Sequence, residues 1–539
     1  MKKLVLLILI SLTSLYSQQK IFTLADTLRG SYGPFRSNND LIYYHLKVRV
    51  DPEKKYISGS NIIKWKMLKD DNRIQIDLYD HLSIDSIIWK NKKLLYERIY
   101  NAVFIDFPSE LKKGSLQEIE FYYSGITLEK GRFGGITFKK DSLGNDWINT
   151  ACQNIGASVW WPNKDQQPDE VDSMLMTVEV PDGFIDVSNG RLISTKKLGD
   201  GFTSFVWKIN YPINNYSVSL NIGKYVHFSD KHNDLTLDFY VMPYNLERAK
   251  NQFAQAKPML ACFEKYFGDY PFPKDGYKLI EAPYTGMEHQ SAVTYGNLFK
   301  NGYYNKDWTG VGISTKFDYI IIHESGHEWF GNSVTANDIS DAWIQEGWCT
   351  YSEVVYVECM FGYVDALKYV NSYKPKVKNL EPIIGPKGVN VWPGNDQYFK
   401  GALFLHTLRN IVNDDDLWWK LIFDYAQTFK YKNIWTEDVI KYFNTKTGKD
   451  FTSIFDQYLR FKNIPTFEYK FTEKGTEVRW VTDVEKFLMP VKIGKLSKNK
   501  VINPTNEWQE ILYSEIPKEE FIVSDILFYI NAVEIKSDR

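Results

Sequence analysis

The feature that most limits what this chain can fold into is its hydrophobic period, which changes twice. From Tyr43 to about His227, apolar and polar residues alternate in short runs such as Tyr44-His45-Leu46-Lys47-Val48-Arg49-Val50, Ile119-Glu120-Phe121-Tyr122-Tyr123 and Thr177-Val178-Glu179-Val180-Pro181. Gly, Asn, Asp and Pro cut these runs, and a period of two predicts antiparallel strands with one buried face. Near Asn245 the period lengthens. Asn245 to Tyr266 carries apolar residues at helical spacing, and further helix-like segments follow to about Phe461. After Pro465 alternation returns in Phe467-Glu468-Tyr469-Lys470-Phe471 and Glu477-Val478-Arg479-Trp480-Val481, and Phe521 to Ile535 closes in strand-like runs. No internal repeat or low-complexity linker interrupts the order. The reading is an α+β multidomain chain: an N-terminal antiparallel β domain at 18–228, a helix-rich domain at 229–462 and a small C-terminal β domain at 463–539. A length of 539 residues suits three or more domains at roughly 150 residues each.

The first seventeen residues stand apart. Lys2 and Lys3 precede an uncharged apolar run, Leu4 to Leu12, and small Ser17 comes before Gln18 and Gln19. That is the layout of a cleaved signal peptide at 1–17. The run falls short of the roughly 20 residues a bilayer span needs, and no later run is long and apolar enough. The mature protein is therefore expected to be exported, periplasmic or extracellular, with no transmembrane segment. The full chain's 65 basic and 67 acidic residues nearly cancel, and no basic tract is present, so nucleic acid is excluded as a partner. Cys152, Cys262, Cys349 and Cys359 show no paired spacing; Cys349 and Cys359 lie ten apart in one helix-like stretch, too far for a bond within it. Buried free thiols are expected.

The segment Ile320-Ile321-Ile322-His323-Glu324-Ser325-Gly326-His327 contains H-E-x-x-H. On a helix, positions four apart share a face, so His323 and His327 can hold one metal ion. The isoleucine run alone reads equally as a buried strand, with the histidines as core residues, and Gly326 costs a helix about 1 kcal/mol relative to Ala. A third donor changes the balance. Asp341-Ala342-Trp343-Ile344-Gln345-Glu346-Gly347-Trp348 begins a second helix-like stretch, with Ser340 or Asp341 as its cap. Glu346 follows His327 by nineteen positions, and a helix–loop–helix of that length can fold back onto the same ion. Two imidazoles and one carboxylate suit zinc, one ion per chain, with a fourth position left open. Glu324 would lie beside that position as the proton acceptor for water.

With its flanks, Trp329-Phe330-Gly331-Asn332-Ser333-Val334-Thr335 and Trp343-Ile344-Gln345-Glu346-Gly347, this set resembles the aminopeptidase N family of zinc peptidases, which includes leukotriene hydrolase. Three further stretches resemble that family in order: Thr150-Ala151-Cys152-Gln153, Thr285-Gly286-Met287-Glu288-His289 and Tyr398-Phe399-Lys400-Gly401-Ala402. The resemblance runs from about Tyr43 to Leu459. It implies a thermolysin-like catalytic domain, and peptide substrates with a free N-terminus. Glu288, helped by Gln153, would bind the α-amino group, with Gly286, Met287 and His289 along the substrate backbone. Tyr398 would donate to the oxyanion. Thr285 and His289 depart from the family's usual Gly and Asn, so side-chain preference is open, and a charged His289 would weaken ammonium binding at low pH. Ala151 replaces a family Gln. The chain stops about eighty residues after the catalytic region, without the large helical domain many relatives carry, which implies an open site. A zinc endopeptidase with the same metal core and a non-catalytic protein keeping the fold are the alternatives. The oligomeric state stays open.

Overall fold

The computed structural model describes residues 21–536 other than 130 and 132; the expected signal segment, Met1 to Ser17, lies outside the described residues. The N-terminal runs form an eight-stranded sheet. Its central strand, Asn39–Asp51, pairs antiparallel with Tyr56–Met67 and parallel with Ser173–Pro181, so one parallel pair interrupts the expected antiparallel pattern. Alternation does its predicted work: in Ser173–Pro181 every second residue is buried, and Tyr44, Leu46, Val48, Val178 and Trp207 meet in one apolar core.

The strand Val226–His232 crosses the expected boundary at 228. It pairs with Leu235–Val241 in a second, five-stranded sheet that continues through Tyr277–Glu281 and Val293–Tyr295 to an edge strand, Gly286–Met287. Period two marks a strand but not its sheet, so the helix-rich domain in fact opens with these strands. The helical run from Asn245 is broken into Leu246–Phe253 and Ala256–Phe267.

Three helices carry the chemistry-bearing motifs: α1 (Tyr319–Gly326), α2 (Trp343–Phe361) and α3 (Asp396–Val412). Asp318 caps α1 by accepting from the Ile320 and Ile321 amides. The start of α2 differs from expectation. Asp338 caps a short 3₁₀ turn, Ile339–Asp341, and Asp341 instead accepts from the Thr436 amide and hydroxyl. Glycine explains how closely the helices meet. A Cβ on Gly326 would lie 2.5 Å from Ser352 Oγ of α2, and one on Gly401 would lie 2.8 Å from the Gly347 Cα. Both glycines trade helix propensity for close approach.

The C-terminal segment forms a four-stranded sheet and a two-stranded hairpin. Phe467, Trp480, Phe487 and Met489 share one core with the helices, so this module buttresses α3 from behind. Lys400 donates to the Phe461 and Lys462 carbonyls at 2.9 Å each, and the Tyr529 amide donates to Thr407 Oγ1. Among the described residues no helix is long and apolar enough to cross a membrane.

Because the Gly401 Cβ would collide with backbone, Gly401→Ala lowers stability by about 1–2 kcal/mol. Overpacking costs about 1–3 kcal/mol and outweighs a gain of about 1 kcal/mol in helix propensity. Urea unfolding followed by tryptophan fluorescence reads the change; a variant as stable as the parent contradicts the packing role.

Candidate active site

The α1 sequence places His323 and His327 one turn apart, and the fold brings the α2 carboxylate to them. His327 Nε2 lies 3.3 Å from Glu346 Oε2 and His323 Nε2 lies 3.9 Å from it. Each separation is within the span of two donors sharing one ion of zinc's size, given bonds of about 2.0–2.2 Å. Glu346 Oε2 is buried and accepts no hydrogen bond, an orphaned acceptor pointing at the imidazoles. The donor set therefore fits zinc, with His323, His327 and Glu346 as the residues that would hold it. Cys349 also lies within ligand reach of both histidines, but its thiol donates to the His323 carbonyl at 2.8 Å and does not line the cleft.

Each ligand is oriented by a second partner. His323 Nδ1 pairs with Glu353 Oε1 at 2.8 Å, and the other Glu353 oxygen accepts from Tyr369 and Tyr373, both at 2.8 Å. His327 Nδ1 pairs with the Phe330 carbonyl at 2.9 Å. Both imidazoles thereby turn Nε2 toward the site. Tyr398 donates to Glu346 Oε1 at 2.8 Å, a contact the Gly347–Gly401 approach makes possible, since each glycine lies within three residues of one partner. Sequence reading missed Glu353. Its signal was position: seven residues after Glu346, on the same face of α2.

The cleft over these donors has a volume of about 360 Å³. Gln153, Gly286, Met287, Glu288, Glu324 and Tyr398 all line it, so the structure gathers residues from four separate stretches. Gln153 Nε2 donates to Glu288 Oε1 and to Glu346 Oε1, both at 3.0 Å. Glu288, His327 and Glu346 have donor atoms within 4.8 Å of one another. Gly286 sits on the sheet edge, where a Cβ would press on the Glu324 side chain at 2.9 Å.

His289 differs. It is fully buried, does not line the cleft, and burial lowers its pKa to about 3. It stays neutral and adds no charge beside Glu288, contrary to the low-pH expectation, and its side chain does not open onto the cleft. Thr285, singled out in the sequence, lines the cleft wall, whereas sequence reading missed Tyr303, Tyr319, Ile320, Asn395 and Phe399 there.

Burial dominates the electrostatics. It pushes the Glu324 carboxyl up to about 7, against the pull of His323 and His327 and with help from Glu288 and Glu346. It also raises Glu288, only partly offset by His327. Burial acts on Glu346 too, but the adjoining His327 and His323 imidazoles and the hydrogen bond from Tyr398 win and hold it below the usual carboxylate range. The same burial thus raises the first carboxyl of this set and leaves the last charged, because the two face different neighbours.

Known proteins resemble this chain along both its N-terminal and its helical portions. The peptidase family M1 domain matches residues 251–458 and the peptidase M1 N-terminal domain matches residues 41–216. The chain belongs to peptidase family M1. Among its curated relatives, probable aminopeptidase 2 of Sulfurisphaera tokodaii is 23% identical over 405 residues, covering 73% of this chain and 50% of the relative. Endoplasmic reticulum aminopeptidase 1 of Mus musculus is 25% identical over 266 residues, covering 47% of this chain and 28% of the relative. This M1 chain thus spans half or less of the length of these relatives. A crystal structure of an M1 zinc metallopeptidase mutant from Deinococcus radiodurans, bound to a Tyr-Ser-Ala substrate, superposes with a TM-score of 0.67 at 18% identity, covering 81% of this chain and 98% of that one. That likeness establishes the fold: N-terminal β domain, helical catalytic domain and C-terminal sheets.

Since Glu353 fixes the His323 ring, Glu353→Ala weakens zinc affinity about 10–100-fold. Competition against a fluorescent zinc chelator measures it; unchanged affinity contradicts the orienting role.

Proposed function

We propose that this M1 chain is a zinc aminopeptidase that removes the first residue from peptides with a free amino terminus, and that it works outside the cytoplasm. One observation carries the reading: the Glu288 carboxylate is buried at the metal-ligand cluster, bonded to Gln153, with no Lys or Arg among the residues lining the cleft. A buried carboxylate without a cation is costly. The ammonium of a peptide's first residue offsets that cost; an internal stretch of peptide brings none. This disfavours the endopeptidase alternative, and the presence of every ligand and the Glu324 acid disfavours a non-catalytic role.

When bound, zinc supplies Lewis-acid chemistry: it acidifies water and polarises a carbonyl. The remaining work belongs to the chain. Glu288 anchors the ammonium. The Gln153 amide, whose Nε2 is held by Glu288 and Glu346, leaves its oxygen free to accept from the same group. Anchoring at this point sets the first peptide bond beside His323 and His327, so positioning makes the cut an exopeptidase one. Glu324 takes the proton from water and passes it to the departing amine, a task suited to a carboxyl pushed up to about 7. The Tyr398 hydroxyl, within reach of Glu346, donates to the carbonyl oxygen as charge builds there. The edge strand Gly286–Met287 offers its free backbone groups to an extended peptide. Export rests on the signal-like Met1 to Ser17.

Two comparisons test the proposal. A tripeptide with a free amino group is cleaved, zinc chelation stops the reaction, and the N-acetylated peptide is cut at least about 100-fold more slowly; equal rates support the endopeptidase instead. Glu324→Gln loses about 10²–10⁴-fold in kcat while retaining zinc; full activity defeats the proton-transfer role. Mass spectrometry of the protein from its own host finds the chain beginning after Ser17, and an intact Met1 removes the case for export.

A further inference from the structure

We infer that the leaving-group side of the cleft is an aromatic shelf, built from Tyr303, Tyr319 and Phe399, that selects a large apolar side chain at the substrate's second residue. This rests on the aminopeptidase reading above. The direction of the bound peptide follows from α1. His327, at its C-terminal end, shares the Glu288 and Glu346 cluster where the ammonium is held. Tyr319, at its first position, lies eight residues earlier, about 12 Å along the axis at ~1.5 Å per residue. A peptide anchored at Glu288 and crossing the His323–His327 pair therefore runs toward Tyr319. One extended residue advances about 3.3–3.6 Å, which carries the second residue past His327 to His323, and the Tyr319 ring lies 5.4 Å from the His323 ring, within reach of that residue's side chain.

What waits there is uncharged. The acids of the cleft, Glu288, Glu324 and Glu346, all surround the metal ligands, and no Lys, Arg or Asp lines the wall. The Tyr319 ring stacks on His323 at 5.4 Å and meets Tyr303 edge-on at 5.9 Å. Trp308 forms the floor, 4.9 Å from Tyr319 and 6.0 Å from Phe399. Tyr303, Tyr319 and Phe399 keep part of their surface open to the cleft, which is apolar area left for a ligand to cover.

The shelf is held rigidly. Tyr303 lies on a loop in which Leu298, Phe299, Tyr304 and Asn305 all have positive φ, between 52° and 65°. Bulky residues keep that conformation only where the surroundings over-determine it. Here Asn297 Nδ2 donates to the Lys300 and Gly302 carbonyls and to Asp318 Oδ1, the α1 cap, and Asn297 Oδ1 accepts from the Tyr304 amide. Thr285, on the cleft wall beside the edge strand, is bonded to the Tyr304 hydroxyl at 2.8 Å. The loop is thus tied both to the metal-binding helix and to the strand beside the substrate path, which fixes Tyr303 before any peptide binds.

The test compares Ala-Phe-Gly, Ala-Gly-Gly and Ala-Asp-Gly as substrates of the zinc-loaded full chain. The expected kcat/KM for Ala-Phe-Gly exceeds that for Ala-Gly-Gly about tenfold or more, the scale of covering one aromatic side chain, with Ala-Asp-Gly lowest. Tyr303→Ala brings the Phe-to-Gly ratio down about tenfold and Tyr303→Phe restores it, which separates ring contact from general damage to the fold. Affinity of the Glu324→Gln protein for the same peptides, measured by calorimetry, follows the same order. A ratio near one in the parent, or a ratio untouched by Tyr303→Ala, overturns the shelf while Ala-Gly-Gly turnover leaves the aminopeptidase reading standing. Turnover of none of the peptides overturns both.

Discussion

Three carboxylates, Glu288, Glu324 and Glu346, are buried around one small cleft whose lining includes no Lys or Arg. Like charges that close cannot all ionise unless positive charge joins them. Glu346 is held charged by its imidazole neighbours, while burial pushes Glu324 and Glu288 up. The site is thus short of cations, and the shortage has a definite shape: two imidazoles and the Glu346 oxygen offer a position for a divalent ion, and the Glu288 carboxyl lies beside His327 and Glu346. The surrounding fold serves to keep this arrangement from relaxing.

That service is mostly steric. Gly326 lets α1 lie against Ser352, and the Gly347–Gly401 contact lets α3 lie against α2. Each glycine stands next to or within three residues of a site residue, so the same short segment supplies both a functional group and the clearance that places it. The C-terminal module presses α3 from the other side through Thr407, and Lys400 ties α3 to the segment that leads into that module. A long lever would transmit small errors; here the glycine contacts lie one to three residues from the groups they place.

Much of this was legible from the chain. His323, His327 and Glu324 could be read because helical spacing is a hard geometric rule, and Glu346 because a nineteen-residue return is short enough to close. Glu288, Gln153 and Tyr398 carry no periodic signal and were readable only through family resemblance. The remainder was hidden for physical reasons. Alternation in Val226–His232 marks a strand but is silent on which sheet it joins. Asp341 and Asp338 are equivalent as caps until tertiary contacts choose, and Thr436 claims Asp341. His289 stood beside Glu288 in sequence, yet both follow the end of the edge strand, and there His289 is buried away from the cleft that Glu288 lines. Tyr303 and Tyr319 were two among 36 tyrosines, and only the fold shows that they meet.

The account stands on Glu346 completing the metal site from a second helix. Metal analysis of purified parent and Glu346→Ala proteins, dialysed against the same trace zinc, tests this most directly. One zinc per chain in the parent and substoichiometric zinc in the variant, at equal helix content, is the predicted result. Stoichiometric zinc in Glu346→Ala would mean that the ion is held elsewhere, and the charge balance described here would be wrong.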